Sequence, residues 1–96
     1  MRIATWNVNS LKVRLPHVTA WLASHQPDVL CLQETKLEDV NFPLAAIESA
    51  GYHAVFSGQK TYNGVAVLSR VPALERVTDL EGFEDPQRRI LAVTVD

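Results

Sequence analysis

Cysteine is almost missing from this sequence: Cys31 is the lone one in 96 residues. No internal disulfide can form, and a reducing, cytoplasmic setting is expected. One cysteine and three scattered histidines (His17, His25 and His53) show no zinc-ligand spacing. Long apolar runs are missing as well. No stretch approaches ~18 apolar residues without a charge or a helix breaker, which excludes a membrane-spanning helix. Residues 1–7 turn polar at Thr5 and Asn7 before the apolar centre of a secretory signal could form, so none is expected. Basic excess is absent too. Nine Lys and Arg face eleven Asp and Glu, a net charge of −2, which argues against a surface coated in positive charge but leaves room for a local basic site.

The composition that remains, 47% hydrophobic and 21% charged, is that of an ordinary folded domain. A chain of this length can bury roughly 60–65% of its unfolded surface, enough for one modest core. There is no internal repeat, low-complexity tract or flexible linker. Arg2 to Asn7 reads as a strand and Arg14 to Ser24 as a helix, with Pro16 in its first turn and Leu15, Val18, Trp21 and Leu22 on one face. Asp28 to Glu34 holds the unbroken run Val29-Leu30-Cys31-Leu32, the signature of a strand buried on both faces. Cys31 then reads as a small core residue, not a nucleophile.

Pro43 to Ala50 predicts a short helix, with Gly51 at its left-handed cap. Strands are expected over Tyr52–Ser57, Val65–Ser69 and Ile90–Val95, with a weaker one over Leu74–Val77, and loops over Gly58–Gly64 and Asp79–Arg89. This order predicts an α/β unit: one mixed β-sheet with helices on one face. Nothing obvious covers the other face: Val65, Val67, Leu91, Val93 and Val95 make up much of the sheet's apolar inventory, and alternation sends only some of them to the helix side. A bare apolar face of that kind points to a further layer or a partner.

Asn7 and Glu34 each close an apolar strand at its C-terminal end, where ligand sites form in open α/β sheets. Neighbouring parallel strands would bring them together. A carboxylate with an amide oxygen suits Mg²⁺ or Mn²⁺ rather than zinc. The plainer alternative is that Asn7 caps a turn and Glu34 is an exposed strand end. Asn9, Ser10 and Lys12 offer donors to a phosphate backbone, or form a polar loop without a role. Lys36 can pair with a phosphate or simply be solvated. Lys60, Tyr62 and Asn63 mix a cation, an aromatic and an amide on one loop, suited to probing a groove; a plain hairpin with Asn63-Gly64 as its turn is the alternative. Arg88 and Arg89 could bind phosphate or balance Glu81, Glu84 and Asp85. His17 and His25 read as solvated helix residues.

Six segments, in order, carry a resemblance. They are residues 3–10 (IATWNVNS), 26–32 (QPDVLCL), 33–36 (QETK), 58–60 (GQK), 63–69 (NGVAVLS) and 87–90 (QRRI). Together they resemble the N-terminal part of the exodeoxyribonuclease III family, within the endonuclease/exonuclease/phosphatase superfamily. The resemblance implies that residues 1–96 are the N-terminal portion of one such domain, about half of a four-layer α-β-β-α sandwich. It further implies a Mg²⁺-dependent DNA repair nuclease (Mn²⁺ a possible substitute) acting on double-stranded DNA at abasic sites and 3′ ends.

By position, Glu34 matches the family's principal metal ligand and Asn7 its neighbour in the metal and phosphate site. Asn9 stands where some relatives carry Asp. Lys12, Tyr62 and Arg89 match positions that approach DNA, and Lys36, Asn63 and Arg88 are further candidates. The family's general base, an Asp-oriented His, is expected beyond Asp96, so the 96-residue chain alone is expected to be inactive. Two alternatives accompany this reading: a non-enzymatic fragment that self-associates through its bare sheet face, and a phosphodiesterase of the same superfamily acting on another substrate.

Overall fold

The computed structural model describes residues 1–59, 61–77 and 91–95. The chain runs β1 (Ile3–Asn7), α1 (Leu11–His25), β2 (Val29–Gln33), a 3₁₀ turn (Asp39–Asn41), α2 (Leu44–Ser49), β3 (His53–Ser57), β4 (Val65–Ser69), β5 (Glu75–Val77) and β6 (Ala92–Thr94). Four strands form one mixed sheet in the order β1-β2-β4-β3, with β1 parallel to β2 and the other neighbours antiparallel. The mixed α/β class expected from the sequence is thus observed. No described helix is long and apolar enough to cross a membrane.

The register sorts the side chains into two faces. Ala4, Leu30, Leu68 and Ala54 align in one row, and Trp6, Leu32, Ala66 and Phe56 in the next row on the same side. Both rows pack against Leu11, Val18 and Leu22 of α1 and Ile47 of α2, forming a single core. Phe42 closes it by stacking on Phe56, with ring centroids 3.9 Å apart. Trp6 meets Trp21 edge to face at 6.3 Å.

Three expectations need correcting. α1 begins at Leu11, three residues before the predicted start, and Pro16 lies inside it instead of in its first turn. The reason is Leu11 itself. It is fully buried and extends the apolar stripe one turn back through the spacing Leu11, Leu15, Val18, Leu22. Proline there removes one intrahelical bond, to the carbonyl of the exposed Lys12, where water can replace it.

Second, β5 and β6 pair with each other in a two-stranded ladder and do not join the main sheet. Leu91, Val93 and Val95 therefore add nothing to its strands. Third, the sheet face away from the helices is only partly bare. Val29 and Val67 are buried, Cys31, Val55 and Val65 are intermediate, and Ile3 at the β1 edge is 66% exposed. The predicted loop over Asp79–Arg89 falls almost wholly on residues 78–90, outside the described residues.

Candidate active site

Parallel pairing of β1 with β2 sets Asn7 opposite Gln33, so Glu34 follows directly beside Asn7. The chain then weaves three loops together at this end of the sheet. Val8 N donates to Gln33 O at 3.0 Å, Ser10 N to Glu34 O at 2.9 Å and Leu11 N to Thr35 O at 3.0 Å, joining the β1–α1 loop to the segment after β2. From the other side, Thr35 N donates to Gly64 O at 3.2 Å and Lys36 N to Asn63 O at 2.8 Å, joining the β3–β4 loop to the same segment.

Side chains complete the knot. Asn7 Nδ2 donates to Glu34 Oε2, and Asn7 Oδ1 accepts from the Asn9 amide at 3.1 Å. Asn7 thus uses both ends of its amide, one to orient the carboxylate and the other to fix its own loop. Lys36 Nζ donates to Asn9 Oδ1 at 2.5 Å and lies 3.9 Å from Glu34 Oε1. That ion pair is long and part-exposed, so its direct contribution to stability is small. The Glu34 side chain is 45% exposed, within reach of an ion or ligand from solvent.

The backbone here is unusual. Asn9, Ser10, Glu34, Lys36, Thr61 and Asn63 all have positive φ without being glycine, and Gly64 has φ +92°. A charged residue such as Glu34 at φ +57° costs on the order of 1 kcal/mol and persists only where its surroundings impose it. Non-glycine strain of this kind gathers at functional sites more often than elsewhere.

Most of the residues singled out in the sequence meet here. Asn7, Asn9, Glu34 and Lys36 form one bonded network. Ser10, Lys12 in the first turn of α1, and Tyr62 and Asn63 in the β3–β4 loop stand on the loops tied to it, and Tyr62 is 67% exposed. Lys12 also borders a surface cavity of about 420 Å³ with Leu15, Leu37, Asn41 and Pro43. The seven-residue loop between β3 and β4 does close an antiparallel pair, so Asn63-Gly64 serves as turn residues while also gripping the Glu34 segment. Lys60, Arg88 and Arg89 lie outside the described residues.

The histidines stay away from this network. His25 stacks on Trp21 at 4.7 Å and contacts the Ser24 hydroxyl, while His53 pairs with Ser69 at the opposite end of the sheet. His17 borders a surface groove with Trp6, Arg14 and Trp21. Cys31 sits mid-strand, and burial raises its thiol pKa, which fits an inert small residue. Among the described residues no group of three or more His, Cys, Asp and Glu gathers where it could hold a metal; Glu34 brings a single carboxylate. Sequence reasoning gave Thr35 and Gly64 little weight. Thr35 is fully buried inside an otherwise polar Gln-Glu-Thr-Lys stretch, and an Asn-Gly pair reads the same in any hairpin.

Comparison with known proteins identifies the family and the fold. Residues 4–95 match the profile of the Endonuclease/Exonuclease/phosphatase family. The chain is 36% identical to exodeoxyribonuclease III of Haemophilus influenzae over its whole length, covering 36% of that protein. Among solved structures, a 3′ phosphatase from Neisseria, bound to a product DNA hairpin, is 54% identical with a TM-score of 0.96; the match covers 99% of this chain and 37% of that one. An AP endonuclease from Archaeoglobus fulgidus is 42% identical with a TM-score of 0.93, over 97% of this chain and 36% of that one. The chain therefore spans little more than a third of the length of these relatives.

Proposed function

The chain belongs to the endonuclease/exonuclease/phosphatase family, and from that premise we propose that it supplies the metal-holding side of a DNA repair nuclease that hydrolyses phosphodiesters at abasic sites and 3′ ends. The observation that carries this reading is the Asn7–Glu34 pair, set side by side where two parallel strands end, in a sequence similar to exodeoxyribonuclease III. Likeness to a structure solved on a DNA hairpin supports DNA as the partner.

The donor set fits a hard divalent cation. Glu34 offers a reachable carboxylate, oriented by the Asn7 amide NH2 and faced by the Lys36 ammonium, and neither sulfur nor imidazole takes part in these contacts. Mg²⁺ commonly takes one or two carboxylates and fills its shell with water and substrate phosphate, and Mn²⁺ can replace it. When bound, such an ion lowers the pKa of water and stabilises charge developing on the phosphate. Glu34 holds the cation, and Asn7 fixes the carboxylate that does so. Lys36 balances Glu34 and, with Lys12, offers positive charge to the DNA backbone. Tyr62 and Asn63 on the β3–β4 loop would probe a DNA groove, and Arg88 and Arg89 join them on the strength of the resemblance alone.

None of the three histidines stands beside Glu34, and the family resemblance places the general base, an Asp-oriented His, beyond Asp96. The 96-residue chain by itself is then inactive. The part-exposed apolar face around Ile3, Val55 and Val65 favours self-association of that isolated chain, which would raise its sedimentation coefficient with concentration. A cytoplasmic location accords with the unpaired Cys31.

The test is nicking of a duplex carrying one abasic site, with Mg²⁺ and with EDTA, and with lipid phosphodiesters as competing substrates. The intact protein should cut DNA only with Mg²⁺ and lose that activity in Glu34→Ala, whereas the 96-residue chain should not cut. Cleavage that survives Glu34→Ala would refute the role given to Glu34.

A further inference from the structure

Gly64 has no side chain, yet it stands where the segment carrying Glu34 is most tightly held. A Cβ built on Gly64 would lie 2.2 Å from Thr35 Oγ1 and 3.2 Å from Lys36 N. Thr35 is 1% exposed and Gly64 is buried, so neither can escape the contact into solvent. Gly64 O accepts the Thr35 amide and Asn63 O accepts the Lys36 amide, while Ser10 and Leu11 bond the carbonyls of Glu34 and Thr35 from the opposite side. Glu34, between these grips, is kept at φ +57°, as is Lys36 on the other side of Thr35.

We propose that Gly64 and Thr35 are positioning residues: the Thr35 hydroxyl fills the space that a side chain at Gly64 would occupy, and this fit sets the direction in which Glu34 presents its carboxylate to a divalent cation. The proposal rests on the reading of Glu34 as that cation's ligand. The physical link is short. Thr35 is bonded to Glu34 through one peptide, so a displacement of Thr35 rotates the Glu34 backbone out of a narrow left-handed well. Mg²⁺ tolerates little departure from octahedral geometry, and residues that orient a ligand commonly change metal affinity 10–100-fold when altered.

Gly51 provides a matched control, because it has φ +91° but nothing within 4 Å of a built Cβ, and it lies after α2, outside the network around Glu34. In the intact protein, Mn²⁺ affinity is measured by the electron paramagnetic resonance of the free ion, and melting temperature is measured in EDTA. Gly64→Ala should weaken Mn²⁺ binding about 10-fold or more. Gly51→Ala carries the same backbone strain and should lower the melting temperature while binding Mn²⁺ as the parent does.

Thr35→Val, which puts a bulkier methyl where the hydroxyl sits, should also weaken binding, and Thr35→Ser should preserve it. If Gly64→Ala does not fold, Thr35→Val decides. Folded Thr35→Val with parental affinity, or an equal loss in Gly51→Ala, would overturn the proposal. Glu34→Gln separates the two layers of the argument. Unchanged Mn²⁺ binding there defeats the ligand reading, whereas loss there with parental binding in Gly64→Ala and Thr35→Val defeats only the positioning.

Discussion

The two ends of the main sheet are built from similar materials and put to different uses. At one end Asp28 accepts the Arg2 amide at 2.7 Å, Arg2 Nη1 donates to His25 O at 2.8 Å, and the Tyr52 hydroxyl donates to Pro27 O at 2.6 Å. Among the described residues, positive φ appears on this side only where helices stop: Gln26 N bonds Leu22 O, and Gly51 N bonds Glu48 O. At the other end, seven described residues with positive φ crowd into three loops around Glu34. There, among the described residues, the carboxylate is met by the Asn7 and Lys36 side chains rather than by a backbone amide, and its side chain is 45% exposed. One end spends its acid on closing the fold; the other holds its acid ready for something outside the chain.

The largest predicted effect tests that division at Glu34. In the intact protein, Glu34→Gln should cut abasic-site cleavage about 100-fold or more, because the neutral amide lacks the negative charge with which the carboxylate holds a hard cation. Unfolding free energy should stay within about 0.5 kcal/mol, as expected for a part-exposed side chain. Glu34→Gly sharpens the point. Glycine accepts φ +57° without strain, so this variant should be inactive yet as stable as the parent or up to about 1 kcal/mol more stable in urea titrations. A marked loss of stability in both variants would mean that Glu34 is structural and the contrast between the ends is false.

Smaller effects separate close packing from hydrogen bonding. A Cβ on Gly58 would meet Leu37 O at 1.9 Å, a backbone atom that can yield only if the loop moves. Gly58→Ala should therefore lower stability by about 1–3 kcal/mol, measured by denaturant unfolding. Tyr52→Phe, at the Asp28 end, removes a buried bond to Pro27 O and should cost about 1–2 kcal/mol with no change in DNA cleavage per folded molecule. A drop in cleavage per folded molecule for Tyr52→Phe would show that the two ends communicate.

The sequence disclosed the site better than it disclosed the supports beneath it. Asn7 and Glu34 were legible because each closes an apolar run, and parallel pairing turns that coincidence of position into a contact. Val65–Ser69 was legible to the residue, since an apolar run between a turn pair and Arg70 leaves little choice of boundary. Leu11 was missed because Asn9 and Ser10 mask the start of the stripe, and proline at position 16 looks like a helix beginning. The separate pairing of β5 with β6 depends on partners distant in sequence, which periodicity does not specify. Thr35 and Gly64 were passed over for a related reason. Their fit is a matter of 2.2 Å between two loops, and no local pattern encodes such an approach.

The gentlest test lies at the Asp28 end and is read against pH. The hydrogen bond from the Arg2 amide holds the Asp28 carboxyl below its ordinary value of 3.8, assisted by the N-terminal charge, Arg70 and Arg2 itself, while partial desolvation opposes them. A carboxyl whose pKa is lowered by folding contributes stability that is present above its unfolded value and is lost as pH falls through its folded value. The contribution should thus be complete near neutrality and fade below about pH 4. Asp28→Asn should flatten that acid limb in urea unfolding series run between about pH 2 and 6. Its melting curve at pH 7 should drop only slightly, because solvent screens the part-exposed group. Mn²⁺ affinity should not change at all, since Asp28 occupies the row of Ser69 and His53, at the far end of the strands from Glu34. If the acid limb of the parent persists in Asp28→Asn, the proton that matters belongs to another group and the account of Asp28 is wrong.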